Sequence, residues 1–400
     1  MSRRLIILGA TGSIGTQALD IVRDNPTEFK VVGLSAGGSN VAALAQFALE
    51  FKVEAVAIAN GTAAQDFQLA IYAQASKQGY AEGSFEVPKL LVGPTAATEL
   101  AKYSVDVVLN GITGAVGLGP TVAALEAGTQ LALANKESLV IGGKAVTRLA
   151  KPGQLIPVDS EHSALAQCLR SGSPAEVKKL ILTASGGPFR GYTKEQLELV
   201  TVEQALNHPT WSMGPVVTVN SSTMMNKGLE IIEAHLLFDI PMEQIEVVVH
   251  PQSIVHSMVE FIDGSTIAQA SPPDMHLPIA LGLSWPNRLA GSSTPCSWTE
   301  STSWTFEPVD NEVFPAVALA KMAGTKAGTA PAVMNGANEV AVAQFLSGNL
   351  KYSQIIPTVS QIVESHLASG FVSDEHLTIE EVMKAAHWAQ NACTQLISNT

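Results

Sequence analysis

Cysteine is scarce. Cys168, Cys296 and Cys393 are spread over 400 residues without a CxxC spacing, which excludes a zinc ribbon and a disulfide framework. Cys168 follows Leu165 at helical spacing and faces a core. Charge is sparse too: 15% of residues carry one, and the balance is −13 at pH 7. A chain that grips nucleic acid needs a basic face, so no nucleic-acid partner is expected, although a local basic pocket for a phosphate remains open. Long apolar runs are missing. The N-terminal stretch MSRRLIILGATGSIG passes into glycine too soon to be a signal peptide or a membrane span, and no other membrane segment is visible, so a soluble cytoplasmic protein is expected. Internal repeats and low-complexity tracts are also lacking. What is present is a 46% hydrophobic, globular composition, long enough for two or three domains.

The first part of the chain alternates short apolar runs with helical patterns. Strands are expected at residues 4–8, 29–34, 55–59, 89–92, 105–110 and 130–134. Helices are expected at residues 16–25, 41–51, 65–78, 95–102 and 119–127. Repeated β-α-β units imply an α/β, Rossmann-like doubly wound parallel sheet, over residues 1–157. Residues 158–286 change character. Strands at 179–183, 245–250, 257–262 and 265–270 alternate apolar and polar positions, as in an α+β domain with a mostly antiparallel sheet. Residues 287–305 are rich in Ser, Thr, Gly and Pro, and 287–310 reads as a linker. Residues 311–400 read as a C-terminal helical bundle. There Val382, Met383, Ala386, Ala389, Cys393 and Leu396 recur at helical spacing, behind a capping box of Thr378 and Glu381.

The run GATGSIG (residues 9–15) stands between the first strand and the first helix. A glycine turn there lets backbone N–H groups approach a pyrophosphate at a helix N-terminus. The end of the second strand reads SAGGSN, residues 35–40, without the acidic residue that usually holds an NAD ribose, so NADPH is favoured. With no Lys or Arg in that loop, a 2′-phosphate would rest on Ser39, Asn40 and backbone amides, or on a base from elsewhere. The loops NGITG (110–114) and NKE (135–137) follow later strands, where ligands of such sheets bind. Lys136 is either a site residue or an exposed surface lysine.

Four further segments carry polar chemistry. In PVDSEH (157–162), Asp159 and Glu161 point the same way if the segment is extended, a hard oxygen pair suited to Mg²⁺ or Mn²⁺. Alternatively Ser160 caps a helix and Glu161 lies in its first turn. In NSSTMMNKGLE (220–230), capping residues lead into a helix through Glu233. Asn226, Lys227 and Glu230 share one face, and apolar neighbours cover most of the rest. A buried polar stripe needs partners, which a metal and a phosphate would supply. LTASGGPF (182–189) ends a strand in Ser-Gly-Gly and is either an anion-binding turn or an ordinary one. HPTWSMGP (208–215) is a loop between prolines whose Trp either closes over a substrate or packs on its own domain.

Together LGATGSIG, LANKESLV, PVDSEHSA, LTASGGPF, HPTWSMG, NSSTMMNKGLEIIEAH and VVVHPQSIVHSMVEF resemble, in order, the motifs of the 1-deoxy-D-xylulose 5-phosphate reductoisomerase family. The resemblance spans most of residues 1–290, with weaker signatures beyond. It implies an NADPH-dependent enzyme of the non-mevalonate isoprenoid route, dependent on a divalent metal (Mn²⁺, Mg²⁺ or Co²⁺), acting on a small sugar phosphate and assembled as a homodimer. Carried over, it implies that Thr11, Gly12, Ser13 and Ile14 bind the NADPH pyrophosphate region. Gly37, Gly38 and Asn40 lie near the adenosine, and Asn135 and Glu137 near the nicotinamide. Asp159, Glu161 and Glu230 hold the metal; Lys136, Ser160 and Glu161 contact the substrate backbone. Ser185, Ser221, Asn226 and Lys227 bind its phosphate, with His208 close by. Trp211 and Met213 belong to a lid, and Gly214 lies toward the cofactor. Many members carry a lysine in the loop that here reads AGGSN.

Three rivals are weaker. A semialdehyde dehydrogenase needs a nucleophilic cysteine at a helix start, and no cysteine here has that setting. A metal-dependent phosphatase-like hydrolase would not need the glycine loop. A non-catalytic NADP-binding sensor would not need Asp159, Glu161 and Glu230.

Overall fold

The computed structural model describes residues 2–81, 84–211 and 213–399; Ser212 of the HPTWSMG motif lies outside them. The chain runs β1 (Arg3–Leu8), α1 (Ser13–Asp24), β2 (Phe29–Ala36), α2 (Val41–Glu50), β3 (Ala55–Ile58), α3 (Ala64–Lys77), β4 (Lys89–Val92) and α4 (Ala96–Ala101). It continues β5 (Val107–Asn110), α5 (Leu118–Glu126), β6 (Gln130–Leu133), α6 (Lys136–Thr147), β7 (Leu155–Pro157), α7 (Ser160–Cys168), β8 (Val177–Ala184), α8 (Lys194–Leu197), α9 (Val202–Leu206) and α10 (Pro215–Ser222). Then come α11 (Met225–Phe238), β9 (Ile245–Val249), β10 (Val255–Phe261), β11 (Thr266–Ala270), α12 (His276–Ser284), β12 (Glu307–Pro308), α13 (Ala316–Lys326), α14 (Ala330–Leu346), α15 (Ile355–Ser369) and α16 (Ile379–Ser398). No helix among the described residues is long and apolar enough to cross a membrane.

Two compact units result. The first comprises Met1–Ser138, Leu149–Asp159 and Met275–Ser292. Its seven strands form one sheet in the order β4-β3-β2-β1-β5-β6-β7, and every pairing is parallel. Both faces of such a sheet are covered by helices, so its strands read as unbroken apolar runs; Leu5, Ile6, Ile7 and Leu8 are fully buried. Strand order reverses between β1 and β5, the kind of crevice where nucleotides bind. α12 belongs to this unit. Nearly all of it is buried, and a Cβ at Gly282 would lie 2.8 Å from the Val158 side chain. Arg3 donates to the carbonyls of Leu283 at 2.8 Å and Trp285 at 3.1 Å, satisfying groups a helix end leaves open. The sequence boundaries at 157 and 286 do not capture this return, because a helix apolar all round carries no period that names its partner.

The second unit comprises Leu139–Arg148, Ser160–Asp274 and Ser293–Thr400. Its sheet has the order β11-β10-β8-β9-β12. The pairings of β10 with β8 and β11 and of β9 with β12 are antiparallel, as the alternating pattern suggests, while β8 and β9 run parallel. A parallel pair needs a long crossover, and α8–α11 supply it. β12 follows the Ser/Thr-rich segment; its two residues are too few to show a period. α13–α16 share one hydrophobic cluster with α11 and the sheet, so residues 311–400 pack as part of this unit. The approach is close: a Cβ at Gly228 would lie 2.8 Å from Ala320 Cβ.

The run NSSTMMNKGLE is not one helix. α10 ends at Ser222, Met224 takes left-handed φ 64°, and α11 starts at Met225. PVDSEH is not extended throughout either: β7 stops at Pro157 and α7 begins at Ser160, with Glu161 in its first turn. The capping alternative, not the two-residue strand repeat, describes Glu161.

Gly336 on α14 faces α16 so closely that a Cβ would lie 2.7 Å from the Ala386 carbonyl oxygen. Gly336→Val is expected to lower unfolding free energy by about 1–3 kcal/mol, the usual cost of overpacking, read from the denaturant midpoint. An unchanged midpoint would show that α16 yields freely.

Candidate active site

In the first unit the polar loops gather at the carboxyl ends of β1, β5 and β6. Gly9 sits at φ 80°, and a Cβ at Gly15 would come within 2.3 Å of the Gly9 carbonyl oxygen, so only glycine closes this turn. Gly12 is the N-cap of α1; no side chain caps the helix and no acid lies in its first turn. The first-turn amides around Ser13 and Ile14 are therefore left for an anion. After β2, Gly38 has φ 108°, and the Asn40 side chain accepts from Ala43 N at 3.1 Å to cap α2.

Asn110, fully buried at the end of β5, donates to the Gly117 carbonyl and to Thr121 Oγ1, both at 2.9 Å. Asn135, after β6, donates to the Gly114 carbonyl at 3.1 Å and to Glu137 Oε2 at 2.8 Å. A Cβ at Gly117 would strike the Asn135 side chain at 2.4 Å, so the small residue lets Asn135 sit there. Lys136 opens α6 with its Nζ 2.5 Å from Asp159 Oδ2. It is an ion-paired, mostly buried lysine rather than a solvated one.

In the second unit α7 and α11 face each other with their polar residues inward. Ser160 Oγ donates to Glu161 Oε2 at 2.6 Å. Lys227 Nζ donates to Glu161 Oε1 at 2.7 Å and also to Glu230 Oε2; Asn226 Nδ2 donates to Glu230 Oε1 at 2.5 Å. The Lys227 side chain is 5% exposed and that of Glu230 1%. Burial opposes the Lys227 charge, but the carboxylates of Glu161 and Glu230 outweigh it and hold the ammonium above the usual lysine range. Two carboxylates against one ammonium leave surplus negative charge in a buried place, a donor set that fits a hard divalent cation.

Beyond β8 come Ser185, Gly186 and Gly187, with φ 85° and 65° at the two glycines. His208 Nδ1 accepts from Thr210 N at 3.1 Å and Trp211 N at 2.9 Å. That nitrogen then carries no proton, and Nε2–H donates to Ser185 Oγ at 2.9 Å. Gly187 N donates to the same oxygen at 3.2 Å, which directs the serine hydroxyl toward an acceptor such as a phosphate oxygen. A Cβ at Gly187 would lie 3.0 Å from the Ser221 carbonyl oxygen, so this turn and Ser221 are neighbours. Trp211 meets His256 edge-on at 6.2 Å. Gly214 is the N-cap of α10, with Pro215 at its first turn; Met213 precedes it, half-buried.

Family models match three stretches: 1-deoxy-D-xylulose 5-phosphate reductoisomerase over residues 5–143, its C-terminal domain over 155–238, and the DXP reductoisomerase C-terminal domain over 270–392. A relative of that name from Paenarthrobacter aurescens is 57% identical over 388 residues, 97% of this chain and 96% of the relative. One from Cutibacterium acnes is 53% identical over 402 residues, 98% of each. The chain belongs to the 1-deoxy-D-xylulose 5-phosphate reductoisomerase family. Among solved reductoisomerase structures, that from Zymomonas mobilis in complex with NADPH has a TM-score of 0.89 at 36% identity and covers both chains fully. Another, in complex with NADPH, fosmidomycin and magnesium, has a TM-score of 0.88 at 36% identity over 99% of this chain and 98% of the other.

For a reductoisomerase the buried thiols are informative by contrast. Burial pushes both Cys168 and Cys393 up to about 11, unlike the activated thiol of a semialdehyde dehydrogenase. Sequence reasoning missed the buried pair of His162 and Glu233, whose ring Nδ1 and carboxylate Oε2 lie 3.2 Å apart. The signal was available: Glu233 follows Glu230 by three residues on α11, and His162 follows Glu161. It also missed that Lys227 reaches the carboxylate of Glu161 on another helix.

Burial holds both His208 and His256 below the ordinary 6.5, in His256 against the partly opposing carboxylate of Glu161. An unfolded chain takes up protons near that pH which the folded chain refuses. Stability is thus full above about 6.5 and lost as pH falls toward the lowered folded values. The denaturant midpoint should drop between pH 7.5 and 5.5. His208→Asn, whose Oδ1 replaces the Nδ1 acceptor, should flatten that drop; an identical slope would clear His208 of the effect.

Proposed function

We infer that this chain is an NADPH-dependent, divalent-metal-dependent enzyme that isomerises 1-deoxy-D-xylulose 5-phosphate and reduces the product to 2-C-methyl-D-erythritol 4-phosphate, in non-mevalonate isoprenoid biosynthesis. Beyond family membership, the observation that carries this reading is the Glu161–Lys227–Glu230 triad, with Lys227 and Glu230 buried, whose surplus negative charge calls for a cation. We propose Asp159, Glu161 and Glu230 as its ligands, with Mg²⁺, Mn²⁺ or Co²⁺ as the ion. The relatives solved with magnesium, NADPH and fosmidomycin support this choice.

Bound there, a divalent ion supplies Lewis-acid polarisation of the substrate ketone and its neighbouring hydroxyl. NADPH, when bound, supplies the hydride that reduces the aldehyde formed by the rearrangement. The chain's own residues bind and orient. Thr11, Gly12, Ser13 and Ile14 offer amides to the pyrophosphate; Gly37, Gly38 and Asn40 line the adenosine side, and Asn135 and Glu137 the nicotinamide side. Lys136, Ser160 and Glu161 hold the substrate backbone, and Glu161 or Lys136 moves the proton. Ser185, Ser221, Asn226, Lys227 and the nearby His208 take the phosphate, the Ser185 hydroxyl being directed by His208 and Gly187. Phosphate binding remote from the reacting carbons supplies energy for their alignment. Trp211 and Met213 cover the site, with Gly214 toward the cofactor. The resemblance further supports a homodimer in the cytoplasm, and a division of labour between a nucleotide-binding first unit, to which residues 275–292 return, and a catalytic second unit, into which the helical 311–400 pack.

The test is NADPH oxidation with 1-deoxy-D-xylulose 5-phosphate, with and without Mn²⁺. Oxidation should need both the sugar phosphate and the metal; NADH measures how far the loop lacking a lysine relaxes cofactor choice. NADPH binding without oxidation would overturn the substrate assignment. Glu230→Gln should cut turnover by about 100-fold or more, the scale of losing a group that organises transition-state charge, with NADPH affinity retained. Unchanged turnover would remove Glu230 from the metal site.

A further inference from the structure

We propose that His162 and Glu233 form a positioning pair that sets the spacing between Glu161 on α7 and Lys227 and Glu230 on α11. The inference rests on the metal-site reading given above. The His162 side chain is fully buried and that of Glu233 1% exposed, so the pair has no solvent to fall back on. His162 Nε2 lies 2.8 Å from the Glu230 carbonyl oxygen. A carbonyl only accepts, so that nitrogen carries a hydrogen and donates it. The other nitrogen, Nδ1, lies 3.2 Å from Glu233 Oε2. One imidazole thus bridges the backbone at Glu230 and the side chain one helical turn further along.

Its placement gives the bridge its consequence. His162 is the residue after Glu161, and the bridged carbonyl belongs to Glu230 itself. The ring therefore clamps the backbones that carry both carboxylates. Its contribution is geometric: it fixes how α7 is rotated against α11, and so how far Glu161 stands from Glu230. Groups that orient metal ligands commonly change metal affinity by about 10–100-fold when removed.

The experiment titrates Mn²⁺ into the full-length protein, following the free ion by its magnetic resonance signal, with thermal melting alongside. Glu233→Gln keeps an amide able to pair with His162 Nδ1 and should bind Mn²⁺ within about threefold of the unaltered chain. Glu233→Leu should weaken binding by about tenfold or more and lower kcat while the KM for NADPH holds. If Glu233→Leu does not fold, His162→Phe combined with Glu233→Leu replaces the pair by apolar volume, a change that buried polar groups often tolerate; it should fold and show the same weakening. A folded Leu variant, single or double, with unaltered Mn²⁺ affinity would reduce the pair to a core contact and overturn the proposal. Equal weakening in Glu233→Gln would point to charge instead of position, and would also overturn it. Glu230→Gln is the control: if it binds Mn²⁺ as well as the unaltered chain does, the metal-site reading itself fails, and the positioning role with it.

Discussion

A buried ammonium held between two carboxylates is the constraint on which the second unit turns. Removing charges from water costs several kcal/mol per ion, and close pairing returns this only with good geometry. Lys227 has that geometry with Glu161 and Glu230, and Asn226 serves a further oxygen of Glu230. The arrangement needs α7 and α11 to face each other with polar residues inward, which the surrounding apolar cluster enforces. The sharp left-handed turn at Met224 matters for the same reason, since it starts α11 afresh after α10.

The first unit is organised by a different physics. Its strands are apolar on both faces and can only be buried between helices. That leaves the loops at their carboxyl ends as the places where polar groups collect. Steric limits then select residues there: Gly15 because the Gly9 carbonyl leaves no room for a side chain, and Gly117 because Asn135 occupies the space. The same rule holds at Gly187, where the approach of Ser221 leaves little room beside the Ser185 hydroxyl. In each case glycine's value is the close contact it permits.

Much of the site was legible because its motifs are local. GATGSIG between a strand and a helix, the paired acids of PVDSEH and the shared face of Asn226, Lys227 and Glu230 each lie within about a dozen residues. Spacing alone suggests their chemistry. The conformations were less legible. Asp159 and Glu161 read as neighbours on an extended segment, yet α7 begins between them; a Ser-Glu start serves a cap as well as a strand. The capping residues of NSST close one helix rather than open the next, since Ser and Thr favour both positions when a turn intervenes.

By itself the sequence determined the β-α alternation of residues 3–157, the glycine turn after the first strand and the helical character of the last ninety residues. Apolar periodicity and glycine sterics act within a few residues and need no distant partner. Tertiary structure alone decided that residues 275–292 return to the first unit, that β8 and β9 run parallel, that Lys227 reaches Glu161, and that His162 meets Glu233. Each of these is a contact between residues far apart in the chain. It is selected by the need to bury apolar area and satisfy every buried polar group at once, and no local period encodes it.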